Sequence, residues 1–279
     1  MSSQSARGGR PPVILLGMHR SGTTLVCRLL EEAGLFVGRE KESNNESTFF
    51  LRINDWILSQ AGARWDRPEP LAALLADADL SAAVEAQLRF LMSAERTAEF
   101  LGPPGDLQAL VQPWGWKDPR TMLTLPLWLR LFPDARIIHI RRHGLDVAVS
   151  LLQRSRAVLR AWPGRVKRFE DKLATDSARC LSLPGAFGLW SAYMERATAH
   201  LAAFRGPLLD LRFEDLLADP SARCAELAAF AGVSFSAGQL ERLVGTIRAD
   251  RAHSYRGDQG LAAYAGEVGT ALRQYGYDG

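Results

Sequence analysis

The chain has 279 residues, 47% hydrophobic and 23% charged, with a formal net charge of +3. That is the composition of a globular chain long enough for one large α/β domain or two small ones. No apolar run is long enough to span a bilayer, and so small a charge does not by itself imply a nucleic-acid partner, so an integral membrane protein and a general nucleic-acid binder are set aside.

In chain order, Met1 to Pro12 is polar and lacks the charged-then-apolar order of a signal peptide. It reads as a flexible tail of residues 1–12 ahead of a single domain over 13–279. Val13 to Gly17 is a short apolar run ending in glycine, which predicts a buried strand. From Gly22, Leu25, Val26, Leu29, Leu30 and Ala33 share one helical face, and Gly34 is placed to end that helix. Ile53 to Leu58 follows as helix, and Leu71 to Leu101 as an Ala/Leu-rich helical stretch stopping at Gly102-Pro103-Pro104-Gly105. Arg136 to Ile140 predicts a second strand and Leu145 to about Leu159 a helix. Leu208 to Phe213 predicts a third strand, and Asp219-Pro220 caps a helix ending near Gly232. Strands alternating with helices predict an α/β fold with a parallel sheet flanked by helices, in which ligands gather at the carboxyl ends of the strands.

The cysteines, Cys27, Cys180 and Cys224, have neither close pairing nor metal-ligand spacing, which points to buried thiols in a reducing compartment and so to a cytoplasmic protein. Nearly all the positive charge is arginine, with lysine only at Lys41, Lys117, Lys167 and Lys172. A lysine kept inside the tight segment Trp116-Lys117-Asp118-Pro119-Arg120 is therefore of interest.

Gly17-Met18-His19-Arg20-Ser21-Gly22-Thr23-Thr24 joins the first strand to the first helix. Such a GxxxxG turn lets backbone N–H groups approach an anion while the following helix points its positive end at it. Nucleotide triphosphatases need Lys after the second glycine; here that position is Thr23, and the cation is Arg20 inside the loop. Phosphate or sulfate binding follows from the pattern. A degenerate P-loop kinase or nucleotidase stays open, with Leu208-Leu209-Asp210 as its possible metal-holding strand.

Arg142-His143-Gly144-Leu145-Asp146-Val147-Ala148-Val149-Ser150 resembles a signature of the sulfotransferase family, which uses 3′-phosphoadenosine-5′-phosphosulfate as donor. The resemblance implies the family's P-loop NTPase-like fold, with Arg142 and Ser150 at the 3′-phosphate. His19 to Thr24 is similar to the family's 5′-phosphosulfate loop, which implies that Arg20, Ser21, Gly22, Thr23 and Thr24 bind the donor without a required metal. Residues 116–120, Leu211 to Leu216 with Asp219-Pro220, and Leu272 to Tyr277 also resemble family segments. Arg20 is the first choice for stabilising the leaving oxygen, and by the same resemblance Lys117 is the second cation at the sulfuryl group.

Many bacterial relatives place a glutamate base just after an aromatic pair; here Phe49-Phe50 is followed by Leu51. Glu46 is near enough in sequence to replace it, ahead of His143, read as a turn residue, and His19, read as loop filler. Asp146 reads as a helix-start cap, His139 as a satisfied core histidine, and Glu214 and Asp215 as structural; His200 and His253 have no partner visible in sequence. Ser254 to Gly260 reads as a surface loop, with a phosphate contact from Arg256 as the lesser reading. Trp65, Trp114, Trp116 and Trp162 would suit stacking on an acceptor or core packing. The acceptor hydroxyl stays open among sugars, lipid-linked glycans, small alcohols or phenols, and peptide tyrosine. A non-catalytic nucleotide binder that has lost its base is a further possibility.

Overall fold

Val13–Leu16 (β1) is buried on both faces, as a central parallel strand must be, and this is why it reads as a continuous apolar run. In a computed structural model, which describes residues 9–103, 105–161 and 177–278, β1 pairs in parallel with Gly115–Lys117 (β2) on one side and Arg136–Arg141 (β3) on the other. Leu208–Arg212 (β4) adds in parallel beyond β3, so the sheet order is β2-β1-β3-β4. The chain leaves β1 toward β2 and then returns to β1's other edge as β3. That reversal opens a crevice at the carboxyl ends of β1 and β3, where the two suspected anion-binding turns lie.

Alternate residues of β1 feed two cores. Ile14 and Leu16 face a large cluster rich in aromatics, while Val13 and Leu15 pack with Val26, Leu29, Ile138 and Leu211 on the other side. Thr23–Glu32 (α1) follows the first turn, and its Val26, Cys27, Leu29 and Leu30 are buried. Thr48–Gln60 (α2) begins before the predicted Ile53, because Phe49 and Phe50 are core residues of its first turn. Phe50 stacks on Trp116 at 4.1 Å and 5°.

The predicted helical stretch from Leu71 to Leu101 is three helices: Leu71–Ala76 (α3), Ala78–Leu91 (α4) and Ala94–Leu101 (α5). Asp77 is extended and its carboxylate caps α4 by accepting from the Asp79 and Leu80 amides, so a local hydrogen bond breaks what apolar spacing alone would continue. Thr121–Leu131 (α6), Gly144–Ala161 (α7) and Leu183–Ala203 (α8) complete the helices that bear on the site. The helix Pro220–Ala231 starts at Asp219, which accepts from the Ala222 amide, and ends at left-handed Gly232, as its sequence signals indicate.

Two residues ahead of β1 are tied to the sheet: the Arg10 carbonyl accepts from Trp114 Nε1 and the Pro12 carbonyl from the Arg136 amide. Cys27, Cys180 and Cys224 are free and buried. Among the described residues no helix is long and apolar enough to cross a membrane, and no cluster of His, Cys, Asp and Glu has the makings of a metal site.

Candidate active site

The turn after β1 is built for close approach. A Cβ on Gly17 would stand 2.8 Å from the Ile140 carbonyl, and Gly22 (φ 95°) has no room for one against the Phe213 ring. Between them Arg20 takes a left-handed φ of 71°, a strained conformation for a non-glycine residue and one typical of functional turns. Ser21 is buried and closes the turn: its amide and its hydroxyl both donate to the Met18 carbonyl. Gly22, Thr23 and Thr24 line a cavity of about 360 Å³ at the start of α1, where the first N–H groups of a helix point out without an intrahelical acceptor while the Leu25 and Val26 amides donate to the Gly22 carbonyl. Thr24 donates its hydroxyl to the Asn44 carbonyl.

The turn after β3 meets this loop directly. Arg20 Nε donates to Ser150 Oγ at 2.8 Å, and Arg142 Nη1 donates to the Arg20 carbonyl at 3.1 Å. Arg142 also donates to the Arg251 carbonyl, lies 3.4 Å from the Asp146 carboxylate, and stands over the Phe213 ring. Arg20 and Arg142, 122 positions apart in sequence, thus line one cavity, with Ser150 bonded to Arg20. Six arginines line that cavity, Arg20, Arg28, Arg142, Arg154, Arg248 and Arg251, against a single carboxylate, Glu46. Burial, then repulsion from Arg154, Arg142 and Arg251, draws the Arg20 guanidinium below its ordinary pKa. A pocket in which cations crowd one another in this way favours an anion.

The cavity continues into a second one of about 560 Å³, lined among others by Leu51, Asp55, Ser59, Trp65 and Arg120. His19, Asn44, Glu46 and Arg154 line both and so mark the junction. Asn44 and Glu46 belong to the loop between α1 and α2, which turns through left-handed Asn45 (φ 58°) and is pinned by Lys41 and Asn45 to Glu31. Lys117, at the carboxyl end of β2, lies beneath this loop. Its ammonium donates to the Asn44 carbonyl at 2.5 Å and to Glu46 Oε1 at 3.0 Å, and it lines neither cavity. Burial pushes the Glu46 carboxyl up, and Lys117 pulls against that shift. Leu51, at the position where the family resemblance leads one to expect a carboxylate, lines the second cavity.

Residues 116–120 are held by a buried polar network. Asn54 of α2 donates to Asp118 and Thr121 and accepts from Thr124 and Trp128 Nε1, while Arg120 pairs with Asp118 at 2.9 Å and Asp55 at 2.6 Å. The fixed position expected from Asp118-Pro119 follows from this network, in which Asn54 carried no recognisable sequence signal.

Other expectations meet mixed outcomes. His139 is a core histidine, its Nδ1 3.1 Å from Asp210. Asp210 also receives two N–H groups of Arg141, at 2.8 and 2.7 Å; against burial, the hydrogen bonds from His139 and Arg141 hold its carboxyl down at about 2. The carboxylate considered for a metal is therefore engaged by a guanidinium. Asp146, expected to cap its own helix, instead accepts from Ser254 Oγ and the Tyr255 amide, and so fastens the segment that reaches Arg142. Glu214 accepts from the His143 amide, a structural part. His143 is buried, its Nε2 3.0 Å from the Asp278 carbonyl and its ring stacked on Tyr255 at 4.4 Å. His200 Nδ1 lies 3.0 Å from the Met122 carbonyl, a partner invisible in sequence.

Arg256 lies against Tyr255 and lines neither cavity; Arg248 and Arg251, unremarked in the sequence, line the first. Trp114 and Trp116 are core residues, whereas Trp65 faces the second cavity and Trp162 lies outside the described residues. Arg154 was equally unremarked, yet it stands four positions after Ser150 on α7, a spacing that puts both on one helical face.

The model of the sulfotransferase family matches residues 11–237. No curated protein matches the chain. Among solved structures, the sulfotransferase domain of the Synechococcus PCC 7002 olefin synthase is 20% identical with a TM-score of 0.53, over 99% of this chain and 98% of that one. A sulfotransferase domain from the curacin biosynthetic pathway is 15% identical with a TM-score of 0.53, over 93% and 98%. The sulfotransferase STF9 of Mycobacterium avium is 17% identical with a TM-score of 0.52, over 96% and 78%. At such identities these likenesses speak for the fold, a parallel sheet flanked by helices of the P-loop-like type. With the family model spanning most of its length, the chain belongs to the sulfotransferase family.

Proposed function

We propose that the chain transfers a sulfuryl group from 3′-phosphoadenosine-5′-phosphosulfate to a hydroxyl of a second substrate. The observation that carries this reading is the Arg20 Nε to Ser150 Oγ hydrogen bond of 2.8 Å, which joins the loop suited to a 5′-phosphosulfate to the turn suited to a 3′-phosphate at one arginine-lined cavity. Gly22, Thr23 and Thr24 hold the 5′-phosphate through hydroxyls and first-turn N–H groups. Ser21 holds the turn in shape, and Arg142 with Ser150 binds the 3′-phosphate, Arg142 being aimed by Asp146 and the Phe213 ring.

Sulfuryl transfer breaks the bond from sulfur to the bridging oxygen and forms one from sulfur to the acceptor oxygen. Negative charge builds on the bridging oxygen as the bisphosphate leaves, and Arg20 is placed in the loop to stabilise it. The acceptor hydroxyl loses its proton to Glu46, which reaches both cavities and is oriented by Lys117. Positioning and charge stabilisation suffice for this chemistry, so no metal is required. The acceptor enters through the second cavity, where Trp65 offers a ring and Asp55, Ser59 and Arg120 offer polar atoms, a lining suited to a hydroxyl-bearing molecule such as a sugar or small alcohol. Three buried free thiols are in keeping with a cytoplasmic enzyme.

A P-loop kinase would need a carboxylate to hold its metal, and Asp210 is instead neutralised by Arg141. The direct test incubates the protein with sulfur-labelled donor and a panel of sugars, alcohols and phenols in chelator. Label transferred to an acceptor supports the reading. Phosphate transfer from ATP that depends on magnesium, with no sulfuryl transfer, contradicts it.

A further inference from the structure

We propose that the second cavity takes an acceptor whose reacting hydroxyl is carried on an apolar skeleton, and that Leu51 is the residue that selects it. The inference rests on the sulfotransferase reading above and deepens it by choosing among acceptors. A polyhydroxylated acceptor needs unpaired polar groups in the walls, because each hydroxyl that gives up its water without a partner costs binding free energy. Away from the junction with the first cavity, the polar side chains here are largely engaged with protein partners. Asp55 is met by Arg120 at 2.6 Å, Arg120 also holds Asp118 at 2.9 Å, and Arg64 lies 3.4 Å from Asp66. Ser59 donates its hydroxyl to the Trp56 carbonyl at 2.6 Å. Glu46, the base, is held by Lys117, and Glu42 is exposed, where solvent serves it.

What the walls leave open is apolar. Leu51, Asp55, Leu58 and Ser59 recur at the spacing of one helical face, and that face of α2 lines the cavity. Leu58 and Ala63 beside them are buried, whereas Leu51 is half-buried, with apolar surface that a ligand can cover. The Trp65 ring offers little in its place to a stacking sugar: Trp65 is 7% exposed, the His19 ring meets it edge-on at 4.9 Å, and the Arg154 guanidinium stands over it at 5.8 Å. Leu51 is also tied to the segment that carries the base, since its amide donates to the carbonyl of Ser47, the residue after Glu46. The apolar contact therefore bears on the skeleton next to the hydroxyl that reacts.

The test compares two acceptors that share a six-membered carbon ring with secondary hydroxyls, 4-butylcyclohexanol and myo-inositol. Transfer of label from the sulfur-labelled donor gives kcat/KM for each in wild type, Leu51→Asn and Leu51→Met, with adenosine 3′,5′-bisphosphate affinity as the check that each variant is folded. Wild type is expected to favour the butylcyclohexanol by about tenfold or more. Leu51→Asn is expected to lower its kcat/KM by about tenfold, the scale of one lost leucine contact, while inositol changes little and Leu51→Met stays near wild type. The wild-type comparison needs no variant, so it decides even where Leu51→Asn does not fold. Preference for inositol, transfer to neither ring by a protein that binds the bisphosphate, or an equal change for both rings in Leu51→Asn overturns the inference and leaves the sulfotransferase reading standing. A wild-type protein that binds neither the bisphosphate nor the donor overturns that reading itself.

Discussion

Arg20 holds its left-handed turn and meets Ser150 through Nε, so it couples the turns after β1 and β3, and in the proposed reaction it faces the oxygen on which charge develops. Arg20→Ala is expected to lower turnover by roughly 10²-fold or more, the scale of removing one preorganised donor; turnover within twofold of wild type removes Arg20 from the mechanism. Glu46 offers a second residue-scale prediction. Glu46→Gln keeps the shape of the side chain but cannot take a proton, so turnover falls by about 10²-fold while bisphosphate affinity changes little. Full activity at the pH optimum would move the base elsewhere, with His19, whose Nε2 is buried without a partner and whose pKa lies well below the ordinary histidine value, as the next group at the junction. The loop and the Arg-to-Ser motif were legible because each is contiguous and carries its own turn. Arg154 was not, because its meaning comes from facing two cavities, which no local pattern encodes.

At the scale of elements, segment 249–257 is held against the first cavity by a few contacts. Asp146 accepts from Ser254 and Tyr255, and the Arg251 carbonyl accepts from Arg142. Asp146→Asn removes the buried charge facing Arg142 and is expected to destabilise the protein by about 3 kcal/mol, the scale of breaking a buried pair. Hydrogen exchange should quicken across 249–257, and bisphosphate affinity should fall with it. Denaturant stability and exchange both unchanged would show that Asp146 does not anchor the segment. Strands β1, β3 and β4 could be read from apolar runs bounded by turns, as could the capped helix after Asp219. β2 could not: Gly115–Lys117 is three residues long and becomes a strand only by pairing with Val13 to Leu15. The break at Asp77 was hidden for a similar reason, since Ala/Leu spacing continues through it and a side-chain cap decides the outcome.

At the scale of the whole molecule, buried histidines set the response to acid. Burial is the first cause that lowers the pKa of His19, His143 and His200. Below the ordinary value near 6.5 the unfolded chain binds protons that the native one refuses, so stability falls as pH drops through that value. Glu46, Asp55 and Glu214, all raised by burial, oppose this in part above their ordinary values. Asp210, held at about 2, adds stability above its ordinary value of 3.8 that is lost as pH falls from there toward 2. The melting temperature is expected to be lower at pH 5.5 than at 7.5. An equal or higher value at 5.5 would mean that these histidines are not held neutral.

The central claim is that the cavity lined by Arg20 and Arg142, with Ser150 bonded to Arg20, recognises a nucleotide with phosphates at both the 3′ and 5′ positions. A ligand that binds only the native state must raise its melting temperature, so thermal stabilisation by adenosine 3′,5′-bisphosphate, set beside 5′-ADP and ATP with magnesium, tests it directly. The account predicts the largest shift with the bisphosphate, without metal, and its loss in Arg142→Ala. A larger shift with ATP and magnesium, or no shift with any of the three, would contradict it.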